Sequence, residues 1–120
     1  MKIQESAQDY LEAILILSRE QEHVRAKDVC EYFGYARATV SVFLKQLREN
    51  GYVTVDEHNH IELTDEGKKI AEEMIDRHET LTEIFKKIGV DSEIAVKDAC
   101  RVEHYISATA FRALKDYFEM

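Results

Sequence analysis

The chain has 120 residues, a formal net charge of −8, 45% hydrophobic and 33% charged residues, and no proline. That length holds one modest core or two very small ones sharing an interface, a shortage that a dimer would ease, and the composition excludes a disordered or low-complexity chain. Two cysteines, Cys30 and Cys100, are too few for a secreted disulfide scaffold, and the polar start Met1-Lys2-Ile3-Gln4-Glu5-Ser6 carries no signal-like or membrane-spanning run, so the chain reads as cytoplasmic, with reduced thiols and no membrane partner.

Ser6-Ala7-Gln8-Asp9 has the form of a capping box, opening a helix of about 14 residues with Tyr10, Leu11, Ile14, Leu15 and Leu17 as its apolar positions. A second helix runs from Ala26 to Phe33 and stops at Gly34. A third runs from Arg37 to Asn50, and Gly51 ends it. Their connection, Gly34-Tyr35-Ala36, makes the pair a helix-turn-helix whose second helix is the DNA groove reader. Tyr52-Val53-Thr54-Val55 and His60-Ile61-Glu62-Leu63 alternate around Asp56-Glu57-His58-Asn59, which predicts a β-hairpin placed as a wing, with His58 and His60 facing solvent. Thr64 then caps a long helix with Ile70, Met74, Leu81 and Phe85 on its buried stripe, closed by Gly89. Asp91 or Ser92 caps the next helix, and Ser107 starts a last one with Phe111, Leu114 and Phe118 facing inward.

Charge is unevenly spread. Residues 24–50 carry Arg25, Lys27, Arg37, Lys45 and Arg48 against Asp28, Glu31 and Glu49, a net +2 that leaves −10 for the rest. A basic element on an acidic body binds DNA only in a set orientation. Within it Ala36, Arg37, Ala38, Thr39, Ser41 and Val42 open the reader helix toward base edges, with Arg37 the leading guanine reader, while Lys45 and Arg48 follow at spacings suited to phosphates, supported by Arg25 and Lys27. The acidic wing tip, Asp56-Glu57, predicts a small contribution to phosphate binding, made through backbone or Asn59.

A second chemistry lies near the C-terminal end, in Asp98-Ala99-Cys100-Arg101-Val102-Glu103-His104. Here a thiol, a carboxylate and an imidazole stand at i, i+3 and i+4, on one face if the segment is helical. Such a mixture of sulfur, oxygen and nitrogen suits a divalent transition metal, and Asp9 and Glu12 offer another acidic pair at i, i+3. Taken singly, these residues have plainer roles: Asp9 as the acid of the capping box, Glu12 on a solvated face, Cys100 as a small hydrophobe of the kind Cys30 is read to be. Their coincidence favours metal.

The ordered set Asp9-Tyr10-Leu11-Glu12, Leu47-Arg48-Glu49-Asn50-Gly51-Tyr52-Val53, Leu63-Thr64-Asp65-Glu66-Gly67, Arg77-His78-Glu79 and residues 98–104 resembles the diphtheria toxin repressor family of metal-dependent transcriptional regulators, especially its short manganese transport regulator branch. The resemblance covers nearly the whole chain. It implies a mainly α fold with a small β-hairpin wing: a winged helix-turn-helix DNA-binding domain over residues 1–66, then an α-helical metal-binding and dimerisation domain over 67–120. It further implies a homodimer that binds a palindromic operator in double-stranded DNA and represses metal-uptake genes when Mn²⁺ or Fe²⁺ is bound, with Co²⁺ or Zn²⁺ as substitutes. The family's ligands fall on Asp9, Glu12, His78, Cys100, Glu103 and His104. Cys100 stands where the manganese branch has a bridging carboxylate, which weakens the case for a two-metal cluster and shifts preference from the harder Mn²⁺ toward Fe²⁺, Co²⁺ or Zn²⁺. The alternatives are a winged-helix regulator without metal control and, remotely, a metal-dependent hydrolase. The second lacks a phosphate loop, a nucleophile elbow and enough chain for a substrate cleft, so no enzyme activity is expected.

Overall fold

Ala7, Tyr10, Leu11, Ile14 and Leu17 recur at helical spacing and bury one face of α1 (Glu5–Glu20). The structure, a computed structural model, describes residues 5–120. Glu5 already belongs to the helix, as an acid in the first turn favours, so Ser6 lies inside α1 and not at the N-cap position that the predicted box with Asp9 requires. The helix is accordingly 16 residues long.

At the start of α2 (Ala26–Phe33), the Arg25 backbone N–H donates to Asp28 Oδ2 at 2.8 Å. At its end Gly34 takes φ +74° and donates its N–H to the Cys30 carbonyl. α3 (Arg37–Glu49) buries Val40, Leu44 and Leu47. The strands β1 (Val53–Val55) and β2 (Ile61–Leu63) pair antiparallel with Val53 opposite Leu63 and Val55 opposite Ile61, and Ile61 N–H donates to the Val24 carbonyl at 2.7 Å, tying the α1–α2 connection to the hairpin. Tyr10 fills the space between these helices, its ring stacked on Phe43 at 4.4 Å and on Phe33 at 5.1 Å. Fully buried side chains such as Leu11, Ile14, Val29 and Val40 each contribute about 1.5–3 kcal/mol through removal from water.

Thr64 joins the hairpin to α4 (Asp65–Lys87): its Oγ1 donates to the Gly51 carbonyl at 2.7 Å and accepts from Gly67 N–H at 3.2 Å. A Cβ at Gly67 would collide with the Tyr52 carbonyl oxygen, so the junction admits only glycine. The chain divides into two units, Met1–Glu72 and Glu73–Met120, with the boundary inside α4. In the second unit Asp91 caps α5 (Ser92–Val102) and Ser107 caps α6 (Ala108–Phe118), each side chain accepting a backbone N–H two or three residues on. Leu81, Ala99 and Phe111 form its core, with Phe85, Val102, Ile106 and Leu114 packed around them. Among the described residues, no helix is long and apolar enough to cross a membrane.

Candidate nucleic-acid interface and metal centre

Because Val40, Leu44 and Leu47 face inward, the positions between them on α3 face out. Arg37, Ser41, Lys45 and Arg48 are all exposed and fall at i, i+4, i+8 and i+11, a single stripe along the reader helix. That stripe lines an open groove of about 500 Å³ together with Arg25 and Lys27. The groove thus gathers all five cations of the basic segment. Ala36 at the N-cap and Ala38, Thr39 and Val42 in the first two turns of the helix are exposed but do not line the groove. The exposed Lys45–Glu49 pair at 4.0 Å is too weak to withhold Lys45 from a phosphate.

The wing closes the groove with His58 and Asn59, and here the sequence reading needs correction. Asp56 spends its carboxylate inside the turn: Oδ1 accepts the backbone N–H groups of His58 at 2.8 Å and His60 at 2.9 Å. These bonds, the one from His60 foremost, hold its carboxyl below the ordinary aspartate value. His60 does not simply see solvent. Its side chain is only 14% exposed, its ring lies 3.9 Å from that of His23 and nearly parallel to it, and its Nε2 stands 3.1 Å from the Arg25 guanidinium. The bond from Ile61 N–H to the Val24 carbonyl holds the α1–α2 connection beside β2 and brings this cluster together, and composition carries no signal of it.

In the second unit, Arg77 of α4 donates from one guanidinium nitrogen to the carbonyls of Glu103 (3.0 Å) and Ile106 (2.8 Å), and its guanidinium lies 5.6 Å from the centre of the Phe111 ring. By satisfying carbonyls at the end of α5, this clamp folds residues 103–106 into a turn. Consequently Cys100, Glu103 and His104 do not share an unbroken helix: Cys100 is exposed in the last turn of α5, Glu103 is the C-cap, and His104 lies in the turn beyond. Glu103 is 1% exposed, with Oε2 3.5 Å from His78 Nδ1 and Oε1 3.7 Å from His104 Nε2. Those separations exceed hydrogen-bonding distance, and Oε2 accepts no hydrogen bond among the described residues. A buried carboxylate oxygen in that state calls for a cation, and two imidazoles beside it complete a nitrogen and oxygen donor set that fits a divalent transition metal. The sequence spacing pointed to Glu103 and His104; His78 entered through family resemblance alone. In the first unit, Asp9 and Glu12 are half-buried on α1, one turn apart.

A helix-turn-helix with a wing and a cationic groove, followed by an α-helical unit whose buried carboxylate lies beside two imidazoles, has the form of a winged-helix DNA-binding regulator that responds to metal. Residues 2–61 match the iron dependent repressor N-terminal DNA binding domain, and residues 64–120 match the iron dependent repressor metal binding and dimerisation domain. The chain is 31% identical to the HTH-type transcriptional regulators MntR of Bacillus subtilis and Bacillus velezensis, over 95% of its own length and 82% of theirs. It superposes with TM-score 0.81 on the manganese regulator SloR (22% identity; 99% of this chain, 55% of that one). The score is also 0.81 on a manganese-dependent transcriptional repressor in complex with manganese (28% identity; 92% of this chain, 51% of that one). The chain thus spans about half the length of these solved structures. It belongs to the iron dependent repressor family, that of the diphtheria toxin repressor, whose members are metal-dependent DNA-binding transcriptional regulators.

Proposed function

We propose that this chain represses metal-uptake genes by binding a palindromic operator as a homodimer when Mn²⁺ or Fe²⁺ is held by Asp9, Glu12, His78, Cys100, Glu103 and His104, with Co²⁺ or Zn²⁺ as substitutes. The buried Glu103 carboxylate between two imidazoles carries the reading, because a carboxylate withdrawn from water with its Oε2 unbonded among the described residues is strongly stabilised by a cation beside it. The bound ion supplies positive charge to an otherwise acidic donor set. Asp9 and Glu12 contribute hard oxygen donors from α1, His78 and His104 borderline nitrogen donors, and Cys100 a thiolate whose deprotonation ties affinity to pH. Linkage requires that DNA tighten metal binding by the same factor that metal tightens DNA binding. Arg37, at the exposed start of α3, reads a base edge, and Lys45, Arg48, Arg25 and Lys27 hold the phosphates. Ala36, Ala38, Thr39, Ser41 and Val42 complete the contact surface of the helix.

The test is an anaerobic fluorescence titration of a palindromic duplex library with Mn²⁺, Fe²⁺, Co²⁺ and Zn²⁺, followed by chelation and metal add-back. The expected result is operator retention that is lost on chelation and restored by metal, with Mn²⁺ or Fe²⁺ sufficient. Affinity unchanged through that sequence would overturn the metal control.

A further inference from the structure

The wing and the α1–α2 connection beside it bring together His23, His58 and His60, three of the five histidines, a concentration that groove electrostatics alone does not use. Arg25 carries only donors, so its contact with His60 Nε2 at 3.1 Å requires that nitrogen to be unprotonated. The proton then sits on Nδ1, which stands 3.3 Å from Asp56 Oδ2, an assignment made from the contact of Nε2 with Arg25. Asp56 is itself fixed by the two backbone N–H groups of the turn, and the His23 ring covers one face of His60. The result is a chain from turn to carboxylate to imidazole to guanidinium, ending at a cation that lines the DNA groove.

We propose that neutral His60 is a positioning residue that holds Arg25 toward the DNA backbone, so that protonation of His60 removes the Arg25 contribution to operator binding. The inference rests on the DNA-binding reading above. Protonation would place an N–H and a positive charge against the guanidinium, turning an accepted hydrogen bond into repulsion and returning rotamer freedom to Arg25. Asp56 favours the charged imidazole. Arg25 opposes it, as do His23 and His58 when protonated. Around the neighbouring cavity of about 450 Å³, Arg19 and Glu22 from the end of α1, Glu62 from β2, and Lys68 and Glu72 from α4 contribute mixed signs. Acidification also adds charge to all three imidazoles, which strengthens phosphate attraction generally. The distinguishing quantity is therefore the coupling between Arg25 and His60 and not the raw affinity.

The experiment is a double-mutant cycle of Arg25→Ala and His60→Ala in the full chain, saturated with Mn²⁺, on one fixed duplex from the palindrome screen. It is run at about pH 8 and about pH 6, on either side of the ordinary imidazole range. All four proteins share the same metal donors, so pH effects on metal loading cancel in the cycle. At the higher pH each single variant is expected to weaken binding by about threefold, with the double variant no worse, a size typical of an exposed charged contact. At the lower pH the coupling is expected to shrink. His60→Gln keeps an acceptor that does not protonate, and it is expected to preserve the Arg25 contribution at both pH values. Additive losses, or a coupling equal at both pH values, overturn the inference. An effect of Arg25→Ala with none of His60→Ala also overturns it but leaves the DNA-binding reading standing. If the Mn²⁺-loaded wild type binds no duplex, that reading falls as well.

Discussion

The groove of the first unit and the donor turn of the second use charge in opposite ways. In the groove Arg37, Lys45 and Arg48 stand exposed on one helical stripe, each solvated and independently placed. At the donor turn a single carboxylate, Glu103, is 1% exposed and held by a backbone clamp from another helix. Exposed charges act in small increments that salt can screen, whereas a buried donor acts through geometry and desolvation, where one atom decides the outcome. Removal of a groove cation should therefore grade the function. Removal of a donor should abolish a state.

The comparison breaks first at Glu103. Glu103→Ala is expected to lower Mn²⁺ affinity by on the order of 100-fold or more, since removing a ligand costs at least as much as the 10–100-fold typical of its supporting partners. Competition against a chromophoric chelator measures this, and a change below about threefold would mean that Glu103 is structural. Arg77→Ala comes next. It leaves every donor in place but frees the turn, so metal affinity should fall about tenfold; Arg77→Lys, which keeps a charged donor but loses the flat guanidinium over the Phe111 ring, recovers only part of that. No loss in either variant would show that the turn needs no clamp. In the groove, Arg37→Ala should cost about tenfold in operator affinity and relax discrimination at one base pair. Arg48→Ala should cost less, alike on all sequences, and reduce the salt slope by about 1. A sequence-selective effect at Arg48 would exchange the two roles.

The smallest effect lies in the wing turn, where Asp56 bonds the His58 and His60 N–H groups. Its carboxyl is lowered in the folded protein, so its contribution is fully present above the ordinary value of 3.8 and is lost as pH falls through the lowered value. The protection of the His58 and His60 amides, relative to intrinsic exchange at the same pH, should fall only in that acid window. A fall in protection already above 3.8 would assign turn closure to another group.

Much of the groove was legible in the sequence because its determinants are local. Gly34 and Gly51 punctuate the helices, and the 3.6-residue period separates Val40, Leu44 and Leu47 from the basic stripe. The donor turn was legible in residue type but not in form. Spacing places Cys100 with Glu103 and His104 on one face only if the helix continues, and α5 stops at Val102 because Arg77, more than twenty residues earlier, takes the carbonyls of the turn. A contact so distant in sequence leaves no periodic trace. The same is true of His60, whose partners His23 and Arg25 reach it because the Ile61 N–H bonds the Val24 carbonyl and draws the α1–α2 connection against β2. The start of α1 misled for a simpler reason: Ser6 matches a cap, but helical geometry already includes Glu5.

The ring stack around Tyr10 has an optical consequence. The chain contains six tyrosines and no tryptophan, so its near-ultraviolet spectrum belongs to tyrosine and phenylalanine alone. Tyr105 and Tyr117 are 77% and 81% exposed and report on solvent, whereas Tyr10 is 3% exposed, held between Phe33 and Phe43, and raised above the ordinary tyrosine value of 10.0, chiefly by burial. In an alkaline titration its ionisation is displaced to higher pH. Tyr10 sits between Asp9 and Glu12 in sequence, so the protein carries an unlabelled spectroscopic gauge on the helix that bears two of its proposed ligands.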